Sequence, residues 1–225
     1  MHNLLMAEAA GFTYEIKQYD AEIPPLLLLH GSGGSEADLT DFAEAIAPKA
    51  TWIALRGGIP WEGGFAFFRR NADRTLDRDD LAARTTDLCR FIGYAGKHYN
   101  LKRRPILVGY SNGAIIAAAA VCIGAELTSG AILLRPLSPA PEQEFPPLED
   151  YPVLILGGRY DSRRHPNDAP LIAGQFRRAG ARVTCHLLPT GHGWHESGLD
   201  MALAKSWLES GLFANGHLSE RSWKS

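Results

Sequence analysis

The sequence predicts one α/β domain over residues 1–225, with a mostly parallel, twisted sheet of about seven strands and helices on both faces. Short apolar runs alternate along the chain with longer helical stretches, which is the order expected of parallel strands joined by crossover helices. Several apolar runs contain no alternating polar residues, as strands buried on both faces require. No insertion between the strands is long enough to form a large lid domain, and the chain length suits a single unit.

Seven segments have the length and apolar composition of strands. The predicted strands lie near Thr13–Lys17, Leu26–Leu29, Thr51–Leu55, Ile106–Tyr110, Gly130–Leu134, Val153–Leu156 and Arg182–Leu188. Residues 1–12 and 212–225 are expected to be peripheral to the domain, and the segment after Gly211 is polar.

Five helices fit between these strands. They are predicted at Glu36–Ala47, Asp79–His98, Asn112–Ile123, Asp168–Ala179 and Leu199–Leu208. Ser35 suits the cap of the first helix, because Asp38 stands at the capping-box position three residues later. Gly180 and Gly211 follow the fourth and fifth helices, where glycine commonly ends a helix.

Composition and charge exclude several classes of function. The net charge is -2, which argues against nucleic acid or an anionic membrane as a partner. Met1–Phe12 lacks the basic start and long apolar run of a signal peptide. Cys89, Cys122 and Cys185 are widely spaced and odd in number, so they are expected to be reduced thiols in a cytoplasmic protein.

The most informative motif is G-x-S-x-G, formed by Gly109, Ser111 and Gly113. It follows a buried strand and precedes a helix of small residues, the context in which this motif forms the nucleophile elbow of an α/β-hydrolase. A sharp strand-to-helix turn exposes the serine hydroxyl to a base and needs neighbours without side chains. The helix N-terminus also directs free N–H groups at a developing oxyanion. Ser111 is therefore the predicted nucleophile.

An acid and a base follow Ser111 in the order that this fold expects. The strand Val153–Leu156 runs into glycines and then Asp161, at the predicted carboxyl edge of the sheet. The strand Arg182–Leu188 leads to His192, which stands between two glycines on a loop. His192 is predicted to be the general base, and Asp161 is predicted to orient its imidazole.

Two other residues compete for these roles. Asp168 is an alternative acid, although its position just ahead of Pro170 suggests a helix N-cap. His195 is an alternative base near the start of the last helix, where a surface or pocket-wall position is expected. His192 and His195 are three residues apart, but no motif supplies a third metal ligand. No metal and no cofactor is therefore expected.

The glycine-rich turn after Leu26–Leu29 is the predicted second half of an oxyanion hole. The backbone N–H groups of Ser32 and Asn112 are the predicted donors. His30 is expected to be structural, bonding the turn. The turn matches neither the phosphate-loop nor the dinucleotide-binding pattern.

Residues 57–69 are rich in glycine and aromatic side chains, so they are predicted to form a pocket wall; a packed loop is the alternative. The predicted substrate pocket comprises Gly31, Gly33, Trp61, Phe65, Phe68 and Arg69. Arg69, Arg70 and Arg135 could favour an anionic substrate, against the ordinary expectation that isolated arginines are solvated.

Several of these segments together resemble the phospholipase/carboxylesterase family, which includes acyl-protein thioesterases and small bacterial carboxylesterases. The resemblance rests on residues 30–34, on the loop after Arg56 with Phe67 and Phe68, on residues 109–114 and on residues 191–193. It implies a Ser-His-Asp esterase without a lid, often a homodimer. It also implies the triad Ser111, Asp161 and His192, with Ser32 and Asn112 as oxyanion donors.

Two departures narrow the expected activity. Acyl-protein thioesterases usually carry Gln after the nucleophile, where this chain has Asn112, and their long acyl channel cannot be traced. Dienelactone hydrolases use cysteine at the elbow, where this chain has Ser111. The leading hypothesis is a serine carboxylesterase that hydrolyses small soluble esters through an acyl-enzyme. The alternatives are an acyl thioesterase or lysophospholipase on the same triad, and a non-catalytic ligand-binding protein.

Overall fold

The computed structural model describes residues 4–19 and 22–212. An eight-stranded sheet lies at its centre, in the order β1-β2-β4-β3-β7-β8-β9-β10, and β5 and β6 form a separate hairpin. The strands are β1 (Leu4–Ala9), β2 (Phe12–Lys17), β3 (Leu26–Leu29), β4 (Trp52–Arg56), β5 (Ile59–Trp61), β6 (Gly64–Ala66), β7 (Ile106–Tyr110), β8 (Gly130–Leu134), β9 (Pro152–Gly158) and β10 (Arg182–Leu188).

The described residues form five α-helices, four of them between strands and the fifth after the last strand. They are α1 (Thr40–Ile46), α2 (Arg78–His98), α3 (Asn112–Gly124), α4 (Asp168–Arg178) and α5 (Leu199–Trp207). A 3₁₀ turn, Glu36–Leu39, precedes α1, and Ser35 caps it in a capping box with Asp38, as predicted. Within the described ranges, none of the helices has the length and hydropathy needed to cross a membrane.

The sheet confirms the predicted α/β class with a mostly parallel sheet. Strands β4, β3, β7, β8, β9 and β10 pair in parallel, whereas β2 pairs antiparallel with β4 and with β1. The eighth strand is β1, from the segment expected to be peripheral, and it forms one edge of the sheet. Ala10 and Gly11 both have positive φ, the backbone of a two-residue hairpin that joins β1 to β2. The other predicted peripheral segment lies outside the described residues beyond Leu212.

Side chains on both faces of the sheet are buried, as the uninterrupted apolar runs predicted. In β3, Leu27 and Leu29 join one core and Leu26 and Leu28 join the other, because successive side chains point to opposite faces. Helices α2, α3 and α4 cover the first core, and α1 and α5 cover the second. The carboxyl ends of β3, β7, β9 and β10 all lie along the same side of the sheet, at the ends of its strands, so the loops that follow these strands meet there.

Candidate active site

Ser111 occupies a strained turn between β7 and α3. Its φ of 52° and ψ of -104° lie outside the regions that residues with side chains favour, a conformation that costs about 1–3 kcal/mol and concentrates at functional sites. A Cβ on Gly113 would lie 2.0 Å from the carbonyl oxygen of Leu29, and one on Gly109 would lie 2.4 Å from that of Gly113. Strand, turn and helix therefore touch through their backbones, and only glycine fits at these two positions.

His192 and Asp161 complete a chain of hydrogen bonds to Ser111. The His192 Nε2 atom lies 3.0 Å from Ser111 Oγ, and His192 Nδ1 lies 2.7 Å from Asp161 Oδ2. The Asp161 side chain is only 1% exposed and the His192 side chain 12%. With the Nδ1 proton donated to the carboxylate, Nε2 is left to accept the serine proton. The three residues predicted from chain order thus lie within hydrogen-bonding distance.

The surroundings of His192 keep its imidazole neutral. Burial lowers the pKa of His192, and the positive charges of Arg164 and Arg163 lower it further. The hydrogen bond and charge of Asp161 act in the opposite direction, but the resulting pKa lies below the ordinary histidine value. A neutral imidazole near pH 7 is the form that can accept a proton.

Two side chains hold the loop that carries His192. The Tyr110 hydroxyl donates to the His192 carbonyl oxygen at 2.6 Å, and Arg135 Nη2 donates to the Gly193 carbonyl oxygen at 2.8 Å. Arg135 Nη1 also donates to Asp200 Oδ1 at 2.7 Å, and these two side chains are 0% and 1% exposed. The sequence offered Arg135 as one of three arginines that could favour an anionic substrate. Its burial and its bond to Asp200 exclude that role. It is the buried counterion of Asp200 and fastens the histidine loop to α5.

The two competing residues, Asp168 and His195, form hydrogen bonds with other partners. Asp168 is the first residue of α4 rather than its N-cap, which is Asn167, and its carboxylate accepts the His165 N–H at 2.8 Å. The His195 imidazole bonds to Ser197 at 2.9 Å. Among residues 4–19 and 22–212, no group of three or more His, Cys, Asp or Glu side chains is placed to hold a metal ion.

The predicted oxyanion turn lies against the serine. A Cβ on Gly31 would be 3.6 Å from the Ser111 Cβ atom. In the described part of the chain, the N–H groups of Ser32 and Asn112 donate to no other protein group, whereas the next N–H groups, of Gly33 and Gly113, are bonded. Two free N–H groups beside a serine hydroxyl are the elements of an oxyanion hole.

Buried side chains fix both halves of this arrangement. His30 Nδ1–H donates to the Gly31 carbonyl oxygen at 2.6 Å, and His30 Nε2 accepts the Gly57 N–H at 2.9 Å. Burial lowers the pKa of His30, which favours the neutral ring that this bonding pattern needs. Asn112 Oδ1 accepts the Phe67 N–H at 2.8 Å and so ties the start of α3 to the loop after β6.

A cleft of about 610 Å³ opens over Ser111. Gly31 and Trp61, two of the six residues of the predicted substrate pocket, line it together with Ser32, Glu62, Tyr110 and Ser162. The other four predicted pocket residues, Gly33, Phe65, Phe68 and Arg69, do not line it.

Each of these four has a different position from the predicted one. Phe68 is 1% exposed and belongs to the core, because the chain turns inward after β6. The Phe65 ring packs under the Arg56 guanidinium at 4.9 Å, and its carbonyl oxygen accepts the Gly33 N–H. The Arg69 side chain is exposed to solvent, and its backbone N–H bonds to Asp80.

The sequence did not reveal Arg164, which contacts the serine directly. Arg164 Nη2 donates to Ser111 Oγ at 3.0 Å, while its Nε donates to the Arg135 carbonyl oxygen at 3.0 Å. Arg163 and Arg164 follow Asp161 by two and three residues, on the loop between β9 and α4. Their closeness to the predicted acid was the available signal.

A bacterial relative and two solved structures resemble the chain over most of its length. The Bacillus subtilis (strain 168) protein called "Putative hydrolase MhqD" is 36% identical over 168 residues, which cover 74% of this chain and 84% of that protein. The carboxylesterase of Bacillus cereus is 32% identical, with a TM-score of 0.83 and coverage of 88% of this chain and 94% of that one. The carboxylesterase of Mesorhizobium loti is 30% identical, with a TM-score of 0.81 and coverage of 93% and 99%. No protein-family model matches the chain.

Proposed function

The chain belongs to the phospholipase/carboxylesterase family of α/β-hydrolases, and from this premise we propose that it is a serine carboxylesterase for small soluble esters that needs no cofactor. The observation that carries the proposal is the continuous contact from Asp161 through His192 to Ser111, at 2.7 and 3.0 Å. The strained backbone of Ser111 and the neutral state of His192 support it.

The first half of the proposed reaction forms an acyl-enzyme. Ser111 Oγ attacks the ester carbonyl carbon while His192 Nε2 takes the hydroxyl proton. The carbonyl oxygen becomes an oxyanion, which the N–H groups of Ser32 and Asn112 stabilise by hydrogen bonds made strongest in the transition state. Asp161 holds the imidazole in the required tautomer and stabilises the imidazolium that forms.

The second half releases the product acid. His192 donates its proton to the oxygen of the leaving alcohol, and the bond between this oxygen and the carbonyl carbon breaks. A water molecule then enters, loses a proton to His192 and attacks the acyl carbon. Collapse of the second tetrahedral intermediate returns the proton to Ser111 Oγ and frees the carboxylic acid.

The substitution Ser111→Ala tests the proposal. Hydrolysis of p-nitrophenyl acetate should fall by about 10⁴-fold or more, since Ser111 Oγ is the atom that forms the acyl-enzyme in this mechanism. Ser129→Ala is a matched control, because Ser129 Oγ bonds to the Arg104 carbonyl oxygen just before β8, at the opposite edge of the sheet. A fluorophosphonate probe should label the wild type and the control but not Ser111→Ala. Near-full activity of Ser111→Ala would contradict the serine mechanism.

The composition of the cleft favours small esters over long-chain thioesters or lysophospholipids. Trp61 and Tyr110 are its aromatic lining residues, and most of the other lining side chains are polar or charged. A long acyl chain gains about 0.8 kcal/mol for each methylene that it buries, which needs an apolar wall. Rates on p-nitrophenyl esters should therefore fall from acetate to palmitate; a strong rise with chain length would favour the alternative. Failure of Ser111 to react with the fluorophosphonate would favour a ligand-binding protein.

The chemistry of the cysteines supports the proposal of a cytoplasmic protein. Cys89, Cys122 and Cys185 are free thiols. Burial raises the pKa of Cys89 to about 11 and that of Cys122 to about 12, so both stay protonated and unreactive at neutral pH. The homodimer that the family resemblance implies stays a prediction, which light scattering on the purified protein would test.

A further inference from the structure

Four arginine side chains converge on the cleft over Ser111. Arg70, Arg74, Arg163 and Arg164 all line it. The charges of Asp161 and Asp168 act on Arg164, but neither carboxylate forms a salt bridge with it: Asp161 is bonded to His192 and Asp168 accepts the His165 N–H. The exposed Glu62 also lines the cleft and forms no salt bridge in the described structure. None of the four arginines has a carboxylate partner within the described ranges.

Two of these charges are withdrawn from water and lie close to each other. Burial lowers the pKa of Arg164, and the neighbouring charge of Arg70 lowers it further. Burial also lowers the pKa of Arg70, with the charge of Arg74 as the second cause. Because desolvated like charges repel, an anion placed between them would relieve an unfavourable arrangement.

Hydrogen bonds to the protein restrain two of the four arginine side chains, Arg70 and Arg164. Arg164 is fixed by bonds from Nε to the Arg135 carbonyl oxygen and from Nη1 to that of Arg163, each 3.0 Å long. Its Nη2 points at Ser111 Oγ. Arg70 Nη1 donates to the Arg74 carbonyl oxygen at 2.7 Å, which restrains the guanidinium in the wall of the cleft. Preformed guanidinium forks suit anions with two or more oxygens, such as carboxylate and phosphate.

We propose that Arg70 and Arg164, with Arg74 and Arg163 beside them, form an anion-binding subsite, and that the natural substrate is an ester bearing a second, ionised acidic group. The proposal rests on the proposed function, because it places the reacting carbonyl at Ser111. The anion is a carboxylate or a phosphate, the two chemistries that a guanidinium pair binds in the same way. Arg164 Nη2 lies 3.0 Å from Ser111 Oγ and all four arginines line the same cleft as Ser111, so the charged group and the ester belong to one small molecule.

The variant Arg70→Gln separates substrate binding from an effect on the serine, because Arg70, unlike Arg164, does not contact Ser111 in the described structure. A pH-stat would measure hydrolysis of monomethyl succinate and of methyl butyrate, which match in chain length and differ in charge. The wild type should prefer monomethyl succinate, and Arg70→Gln should lower the ratio of kcat/KM for the charged over the neutral ester by about 10–100-fold. Arg69→Gln removes the same charge from an exposed neighbour outside the cleft, and it should leave the ratio unchanged.

Binding without turnover gives an independent readout. Thermal unfolding of Ser111→Ala would be followed with succinate, with inorganic phosphate and with neutral dimethyl succinate. At ten times its Kd, the anion that fits should raise Tm by roughly 3–6 °C, and Arg70→Gln in the same background should remove this rise. A response to succinate identifies a carboxylate substrate, and a response to phosphate alone identifies a phosphate-bearing one. If Arg70→Gln does not fold, Arg74→Gln serves instead.

The outcomes separate this inference from the proposed function. Equal kcat/KM on the two methyl esters in wild type and Arg70→Gln, together with no anion-dependent rise in Tm, would overturn the subsite while leaving the esterase intact. An Arg70-dependent rise in Tm in a wild-type protein that hydrolyses neither ester and does not react with fluorophosphonate would support the subsite and overturn the esterase.

Discussion

Replacing Asp200 by asparagine should destabilise the protein strongly, because it removes the negative charge from a buried ion pair. The Arg135 and Asp200 side chains are fully buried, and Asp200 accepts from both Arg135 Nη1 and the His195 N–H. Asparagine keeps the shape but loses the charge, and its amide group would face one of these donors. An uncompensated buried charge costs about 3–5 kcal/mol, against a typical total stability of about 5–15 kcal/mol. For a chain of this size the loss corresponds to a fall in Tm of roughly 6–20 °C.

The same change should also reduce turnover, because Arg135 holds the Gly193 carbonyl oxygen next to His192. Urea unfolding and the kcat on p-nitrophenyl acetate, both measured on Asp200→Asn, would follow the two effects. Asp41→Asn is the matched control, since Asp41 is exposed in the first turn of α1 and its loss should cost no more than about 1 kcal/mol. The double change Arg135→Met with Asp200→Leu should recover much of the stability without recovering kcat.

A loss below about 1 kcal/mol for Asp200→Asn would refute the view that removing the Asp200 charge leaves a costly unpaired charge on Arg135 in the core. Unchanged kcat in a variant that is clearly destabilised would refute the positioning role alone. The two readouts therefore test separate parts of the reasoning.

Three further outcomes are expected. The acid limb of kcat/KM should have an apparent pKa below about 6.5, and Arg164→Gln should move it to higher pH, because removing that charge raises the pKa of His192; a shift to lower pH would contradict this electrostatic account. His30→Phe should cost about 1–3 kcal/mol in urea unfolding, since the buried Gly57 N–H loses its acceptor, and no loss would show that this hydrogen bond does not contribute to stability. Gly113→Ala should unfold at much lower urea or fail to fold, whereas Gly93→Ala, which meets nothing within 4 Å on α2, should gain about 0.5–1 kcal/mol.

The features that were predicted correctly from the sequence are those with a local signature. Each of the seven predicted strands is present with ends within two residues, because uninterrupted apolar runs such as Leu26–Leu29 reflect burial on both faces. The relative placement of Ser111, Asp161 and His192 followed from the rule that loops at the carboxyl ends of parallel strands share one edge. Strand β1 was missed as part of the sheet because its hairpin has alanine, not asparagine or glycine, at the first turn position.

The wall of the cleft could not be predicted in the same way. Phe68 and Arg69 are adjacent, yet one is in the core and the other in solvent, because the direction of each side chain depends on how the loop after β6 returns to the sheet. The sequence alone does not distinguish the role of Arg135 from that of Arg164. Only the tertiary structure shows that one is paired with Asp200 and the other bonded to Ser111.

The contact between the two turns at Ser111 has a consequence for how this protein can change over evolutionary time. Gly113 rests on the Leu29 carbonyl oxygen, and the buried side chains of His30 and Asn112 bond to backbone groups beside the two free N–H groups, so these N–H groups are held from several directions at once. A substitution at these positions can therefore abolish activity, but it can hardly make a small adjustment to the positions of the two N–H groups. Changes in substrate range have to arise in the surrounding loops, where an arginine such as Arg70 can be replaced while the catalytic residues stay in place.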